Sequence, residues 1–127
     1  MRHIYDCAAG CPIESTLQVI SGKWKSVIIY HILQYQKCRF SQLQKLMPDC
    51  SKRMLALQLK ELEQDEIVTK TIYPTVPPKT EYQLSDFGLT LKSIIVEMEK
   101  WGQTFNKKYS KQSVTFKVND SSNYMIK

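Results

Sequence analysis

The amino-acid sequence predicts a mainly helical α+β domain in which short helices are followed by a two-stranded ribbon and a long terminal helix. Apolar residues recur at helical spacing over residues 12–62, β-branched and aromatic residues dominate from Ile67, and helical spacing returns after Ser85. The chain has 127 residues, of which 43% are hydrophobic and 24% are charged. This length and composition are typical of one globular domain and exclude a low-complexity or disulfide-dense protein.

The first two predicted helices are short and apolar. Pro12 suits the first turn of a helix, because its missing N–H would have no partner there. The spacing predicts a helix over about residues 12–20, which Ser21-Gly22 ends. A second helix, almost entirely apolar, is predicted from Trp24 to near Gln36. Both helices are expected to contribute to the core.

A third and a fourth helix follow, separated by a turn. Ser41 and Gln44 have the spacing of a capping box, and Pro48 ends this third helix after barely two turns. Asp49 or Ser51 caps the fourth helix. Its buried face is a leucine stripe of Leu55, Leu59 and Leu62, which leaves basic side chains on the opposite side.

The ribbon is predicted from two strand-like segments. Residues 67–73 are β-branched and aromatic, and residues 80–84 alternate between polar and apolar side chains. The connection, residues 74–79, contains three prolines, which fix φ and cannot donate to a β-ladder. The tip of the ribbon is therefore expected to project as a stiff loop.

Ser85 is predicted to cap a long final helix that carries an apolar stripe. The stripe is too apolar to remain in water, so it is expected to form a dimer interface. Residues 106–127 have little periodicity and a charge of +4, and are predicted to be a polar, basic tail in which Val114, Phe116 and Val118 suggest a short strand. The stripe consists of Ile94, Ile95, Met98, Trp101 and Phe105.

Positive charge is concentrated in the middle of the sequence. Residues 23–60 contain eight basic residues and one acid, Asp49, which gives this segment a net charge of +7 in a chain of net charge +6. A phosphate-binding surface requires such a concentration, although a solvated basic surface has the same composition. A short helix, a turn, a one-sided basic helix and a ribbon are, in this order, the parts of a winged helix-turn-helix. The sequence therefore predicts a protein that binds double-stranded DNA.

Eight segments in the same order also resemble one family. Together they resemble the HxlR family of bacterial transcription regulators, which is similar to the MarR regulators, and the resemblance covers about residues 7–105. It implies a homodimeric winged-helix DNA-binding domain that binds an inverted-repeat operator, with the terminal helices in the dimer interface. The segments are Cys11-Pro-Ile-Glu14, Ser21-Gly-Lys-Trp24, Arg39-Phe-Ser-Gln-Leu43, Ser51-Lys-Arg-Met-Leu55, Leu59-Lys-Glu-Leu-Glu63, Ile67-Val-Thr-Lys70, Val76-Pro-Pro-Lys-Thr-Glu-Tyr82 and Leu84-Ser-Asp-Phe-Gly88.

The sequence departs from the family pattern at one turn. Glu66, between Asp65 and Ile67, stands where the family usually has glycine. Either Glu66 adopts a backbone conformation that glycine tolerates better, or the turn is reshaped.

The candidate DNA contacts lie in the basic segment and on the ribbon. On the fourth helix they are the residues that lie off the leucine stripe, and on the ribbon they are the residues expected to contact phosphate or the minor groove. The complete set is Lys23, Lys25, Arg39, Ser51, Lys52, Arg53, Ala56, Lys60, Lys70, Tyr73 and Lys79.

Cys11 is the candidate sensor. A helix N-terminus favours the thiolate, although a buried structural cysteine is the alternative interpretation. In several members of the family that the chain resembles, the cysteine before the first-helix proline senses electrophiles or oxidants, so the resemblance implies such an effector. Packing is the expected role of Cys50, and nothing in the sequence indicates a role for Cys38. His3, Cys7 and Cys11 are spaced by four but lack a clear fourth ligand, so neither a metal nor another cofactor is expected.

Other classes of protein are less compatible with the sequence. It contains no Gly-rich phosphate loop, HExxH or GxSxG motif, and His31 lies in an apolar helix as a core or interface residue, so no enzyme is expected. No apolar run approaches the roughly 18 residues of a membrane span, and no secretory signal is visible, so a cytoplasmic protein with reduced thiols is expected. The alternative is a winged-helix module that binds protein, against which Lys52, Arg53 and Lys60 argue.

Overall fold

The computed structural model describes residues 11–110, except for the side chain of residue 11, and has the winged helix-turn-helix architecture that the sequence predicts. The described residues fall into two compact units, which divide after Lys92. None of the helices within this range is long and apolar enough to cross a membrane. The elements are α1 (Cys11–Ile20), α2 (Lys25–Tyr35), β1 (Cys38–Arg39), α3 (Phe40–Leu46), α4 (Lys52–Gln64), β2 (Val68–Tyr73), β3 (Lys79–Leu84), α5 (Asp86–Leu89) and α6 (Lys92–Ser110).

The helix-turn-helix consists of α3, a turn and α4, and the predicted leucine stripe holds it on the core. Leu55, Leu59 and Leu62 are fully buried, together with three isoleucines of α2, Ile28, Ile29 and Ile32. Ser51, rather than Asp49, caps α4, because its hydroxyl oxygen accepts a hydrogen bond from the N–H of Met54 at 3.0 Å. The stripe and the cap together fix where α4 begins and which side of it faces outward.

The capping box predicted at Ser41 is wrong. Helix α3 begins at Phe40 with Arg39 as its N-cap, so Ser41 already lies inside the first turn. The reason is a third strand that the sequence analysis missed: β1 pairs with β3, with Cys38 opposite Tyr82 and Arg39 opposite Glu81. This pairing keeps the backbone of Arg39 extended (φ −82°, ψ 158°) and so sets the start of α3.

The sheet is antiparallel with the order β1-β3-β2, and the predicted ribbon is its β2–β3 hairpin. We call this hairpin, including the tip at residues 74–78, the wing. Alternation along the strands gives the sheet one buried face, formed by Cys38, Val68, Tyr82 and Leu84. The last pair before the tip is Tyr73 with Lys79, so the prolines lie beyond the ladder, as the sequence predicts.

The single long helix predicted after Ser85 is two helices. Ser85 does cap the first of them, α5, since its hydroxyl accepts a hydrogen bond from the N–H of Gly88 at 2.8 Å, but α5 ends at Leu89 and α6 begins at Lys92. Helix α6 continues to Ser110, so residues 106–110, which the sequence assigns to the tail, are helical. The strand suggested at Val114, Phe116 and Val118 lies outside the described residues.

In the turn between α4 and β2, Glu66 adopts a backbone conformation that glycine tolerates better. Its φ is +62°, the left-handed region that glycine usually occupies. The N–H of Ile67 donates to the carbonyl of Leu62 and the N–H of Glu66 donates to that of Glu63, both at 3.0 Å, which is the Schellman pattern of a helix C-terminus. The motif is therefore formed with a non-glycine residue at its left-handed position.

Replacing Glu66 by glycine is expected to raise the free energy of unfolding by about 0.5–1 kcal/mol. The left-handed conformation costs a residue with a Cβ roughly 1–2 kcal/mol, and the greater flexibility of unfolded glycine offsets part of the gain. Urea denaturation measures the difference. Glu66→Ala is the control, because it removes the carboxylate but keeps the Cβ. Equal stabilisation by both substitutions would show that charge, and not backbone conformation, is responsible.

Candidate nucleic-acid interface

Helix α4 exposes a basic surface on the side opposite its leucine stripe. Arg53, Leu57 and Lys60 recur at intervals of four and three residues, and they are exposed with Ala56 beside them. We call these four residues the outer face of α4. A helix of about 10–12 Å diameter fits the major groove, where an exposed Arg can donate two hydrogen bonds to guanine.

The N-terminal end of α4 adds polar groups to this surface. Ser51 and Lys52 are both exposed there. Ser51 accepts the capping hydrogen bond, and its hydroxyl proton remains able to donate to a phosphate oxygen. The helix dipole favours negative charge at this end.

Lys23, shortly before α2, and Arg39, directly before α3, are exposed. The Lys23 ammonium lies 4.7 Å from the centre of the Trp24 ring. Its charge also acts on the thiol of Cys50, the residue directly before Ser51, where it partly opposes the rise in pKa caused by burial. Lys23 therefore lies on the side of the domain where α4 begins.

Lys25 does not belong to the exposed basic surface, contrary to the sequence prediction. Its side chain is only 8% exposed, and its Nζ lies 2.7 Å from Oε1 of Glu61 on α4. A buried ammonium already paired with a carboxylate is not available to a phosphate, so Lys25 is removed from the set of predicted DNA contacts.

The wing carries its predicted contacts on two different faces. Lys70 lies opposite Tyr82 in the ladder, whereas Tyr73 and Lys79 lie opposite each other on the other face. All three predicted contacts are exposed. The hydroxyl of Tyr73 donates to Oε1 of Glu81 at 3.1 Å, and this hydrogen bond and the negative charge of Glu81 raise the pKa of Tyr73. The Tyr73 hydroxyl thus already has an acceptor within the wing.

Leu57 is a candidate contact that the sequence analysis did not select. Its side chain is 46% exposed between Arg53 and Lys60 on the outer face. The signal was present in the sequence, because Leu57 lies four residues after Arg53 and off the leucine stripe. An apolar side chain in this position can contact the methyl group of thymine.

The described cysteines are poor candidates for chemistry. Cys38 and Cys50 are free and buried, and burial raises the pKa of both thiols. Cys11 is the first residue of α1, but its side chain, like Cys7 and His3, lies outside the described residues. Among the residues that are described, no three His, Cys, Asp or Glu side chains could hold a metal ion. His31 is partly buried, which lowers its pKa.

The predicted dimer stripe on α6 is exposed except at one position. Ile95 is only 3% exposed in the single chain, so it is not available to a second copy and is removed from the predicted interface. The others of the stripe, Ile94, Met98, Trp101 and Phe105, are exposed, and so is Tyr109 one turn further on. The ring centres of Trp101 and Phe105 are 5.6 Å apart and those of Phe105 and Tyr109 are 4.7 Å apart. We call these three rings the aromatic row of α6.

Comparison with known proteins gives consistent matches. The family model described as HxlR-like helix-turn-helix matches residues 19–110. The chain is 43% identical over 111 residues to the uncharacterized HTH-type transcriptional regulator YdeP of Bacillus subtilis (strain 168), and the match covers 87% of this chain and 86% of YdeP.

Solved structures agree with the sequence matches. The redox regulator HypR in its reduced form has a TM-score of 0.73 and 44% identity, covering 80% of this chain and 99% of HypR. Its oxidized form has a TM-score of 0.71 and 48% identity, covering 74% and 96%. The chain therefore belongs to the HxlR-like helix-turn-helix family and is a transcriptional regulator.

Proposed function

We propose that this regulator is a homodimer that binds an inverted-repeat operator through the outer face of α4 and the wing, and that modification of Cys11 by an electrophile or oxidant changes its affinity for DNA. The observation that carries the DNA-binding part is the outer face itself. Arg53 and Lys60 are exposed on a helix whose opposite side is fixed by three fully buried leucines. The leucines hold the helix against the core, with its basic side free for a ligand of opposite charge.

The experiment begins with genomic DNA fragments incubated with the purified protein. The retained fragments are sequenced, and a duplex carrying the enriched motif is compared with a scrambled duplex of equal length by fluorescence anisotropy at several salt concentrations. An inverted repeat with half-sites about 34–36 Å apart is expected, because a symmetric dimer places two recognition helices one turn of DNA apart. Retention of no DNA, together with capture of a protein partner, would instead support a winged-helix module for protein binding.

Substitutions on α4 and on the wing are expected to have different effects on DNA binding. Arg53→Ala should weaken binding to the enriched duplex by about 1–3 kcal/mol and relax the preference at one base pair, because a base contact is lost. Lys79→Ala should weaken binding to both duplexes similarly and reduce the log–log salt slope by about one, because a phosphate contact is lost. Unchanged affinity in Arg53→Ala would contradict the role assigned to the outer face.

The proposed dimer uses the exposed stripe of α6. Trp101, the first ring of the aromatic row, is 66% exposed in the single chain. Contiguous exposed apolar side chains are typical of a protein interface, and a second copy of the same helix offers a chemically matched surface.

Replacing Trp101 by glutamate is expected to raise the dimer dissociation constant by about a hundredfold or more, since burial of an aromatic side chain contributes roughly 3 kcal/mol. Sedimentation velocity over a range of concentrations measures the change. Lys107→Gln, an exposed site outside the stripe that changes the charge by the same amount, should leave the dimer intact. A stable dimer in the Trp101 variant would place the interface elsewhere.

The proposed sensor function is supported by two observations. HypR, to which this chain is similar, is described as a redox regulator and is known in oxidized and reduced forms. In this chain Cys38 and Cys50 are buried, whereas Cys11 is the first residue of α1, where a helix N-terminus favours a thiolate.

A further inference from the structure

The ion pair between Lys25 and Glu61 joins α4 to α2. Lys25 is the first residue of α2, and Glu61 lies in the last turns of α4. Their charged atoms are 2.7 Å apart, with the Lys25 side chain 8% exposed and the Glu61 side chain 39% exposed. The ammonium is thus held away from solvent while its partner remains at the edge of the surface.

Glu61 lies in line with two residues of the outer face. Arg53, Leu57 and Glu61 are spaced by four residues, so they form one row along the helix. The leucine stripe resists separation of α4 from the core, but apolar burial is non-directional and opposes rotation of the helix about its own axis less sharply than a directional contact does. A directional, charge-assisted hydrogen bond at the edge of the row opposes such a rotation.

Small rotations are sufficient to disturb base recognition. A rotation of about 10° moves an atom at the helix surface, about 5–6 Å from the axis, by roughly 1 Å. Hydrogen bonds to base edges tolerate only a few tenths of an ångström, whereas attraction to phosphates varies slowly with distance. Loss of the tether should therefore reduce discrimination between sequences much more than general affinity for DNA.

We propose that Lys25 is a positioning residue for DNA recognition, which fixes the rotation of α4 through Glu61 and sets base discrimination without contacting DNA. This inference rests on the proposed function. It also gives a role to a basic residue that the structure removes from the phosphate-binding surface.

The test compares the enriched and scrambled duplexes for wild type and Lys25→Met. The ratio of the two affinities should fall about 5- to 150-fold, the range associated with one mismatched base pair, while the salt slope on each duplex stays unchanged. Glu61→Gln perturbs the pair from its solvent-facing side and should lower the ratio in the same direction. The charge swap Lys25→Glu with Glu61→Lys should recover discrimination relative to either of its single substitutions.

Lys100→Met is the matched control. Lys100 also forms an ion pair, with Glu97 at 3.4 Å, but both side chains are exposed and lie on the same helix, α6. This variant should keep the wild-type ratio and salt slope. Circular dichroism at the assay temperature establishes the folded fraction of every variant.

Three results would overturn this inference alone. An unchanged affinity ratio in Lys25→Met would show that the pair does not set base discrimination. A salt slope smaller by about 0.9 on both duplexes in Lys25→Met would show a direct phosphate contact. Parallel loss of affinity for both duplexes, in proportion to the unfolded fraction, would show that the pair serves stability only. Absence of salt-dependent DNA binding by the wild type would instead overturn the proposed function, and this inference with it.

Discussion

Replacement of Gly88 by alanine is expected to lower the free energy of unfolding by about 3 kcal/mol, at the upper end of the usual cost of overpacking. A Cβ at this position would overlap the backbone carbonyl oxygen of Ile67 and lie 3.2 Å from the Cγ2 atom of the same residue. Because the overlap involves backbone, it cannot be relieved by rotating a side chain. Either α5 or the turn directly before β2 must move.

Movement there would break several hydrogen bonds at once. The carbonyl of Ile67 accepts from the N–H of Ser85 at 2.9 Å, and the hydroxyl of Ser85 accepts from the N–H of Gly88 at 2.8 Å and donates to the carbonyl of Glu66 at 2.6 Å. These bonds join the end of β3, the cap of α5 and the turn that follows α4. The expected loss therefore combines steric strain with unpaired polar groups.

Thermal unfolding followed by circular dichroism measures this effect, and a fall in Tm of about 4–8 °C per kcal/mol is expected for a domain of this size. Gly102→Ala is the matched control, because a Cβ at that position of α6 has no heavy atom within 4 Å. The control should be stabilised by about 0.5–1 kcal/mol, the difference between glycine and alanine inside a helix. Similar Tm values for wild type and Gly88→Ala would contradict the close approach to Ile67.

Replacement of Cys11 by serine is expected to abolish the response of DNA binding to a quinone or to hypochlorite. In the wild type, either reagent should change the affinity for the enriched duplex. The quinone should add its mass to Cys11, and hypochlorite should oxidise the sulfur of Cys11. The thiolate is the reacting species, and a helix N-terminus stabilises it. Serine has nearly the same shape but no sulfur, so the variant should bind untreated DNA like the wild type.

Anisotropy before and after treatment, with mass spectrometry of the modified peptide, tests this expectation. Cys38→Ala is the control variant, because Cys38 is buried and its thiol points to the carbonyl of His31 at 3.8 Å. This control should respond as fully as the wild type. A normal response in Cys11→Ser, or modification of a different cysteine in the wild type, would assign Cys11 a structural role.

Local sequence patterns were sufficient for α4 and for the wing. The spacing of Leu55, Leu59 and Leu62 identified the buried side of α4, and Ser51 was among the two residues expected to cap it. The strand pattern from Ile67 onward and the prolines of the tip identified the wing. Each of these features depends on neighbours within a few positions along the chain, so it can be read without knowing the fold.

The remaining features depended on residues that meet only in the folded chain. Pairing with β3 makes Cys38–Arg39 a strand, and two residues are too few to show a period. Helix α5 ends at Leu89, next to the close contact between Gly88 and Ile67. The helical spacing of the apolar residues nevertheless continues from α5 into α6, so the spacing did not show this end. The ion pair with Glu61 places Lys25 inside, although its neighbours in the sequence made it one more basic residue of an exposed surface. By itself the sequence determined which faces are apolar or basic, because periodicity is a local property. Only the tertiary structure decided which charged and backbone groups are already paired inside the molecule, because their partners lie far away along the chain.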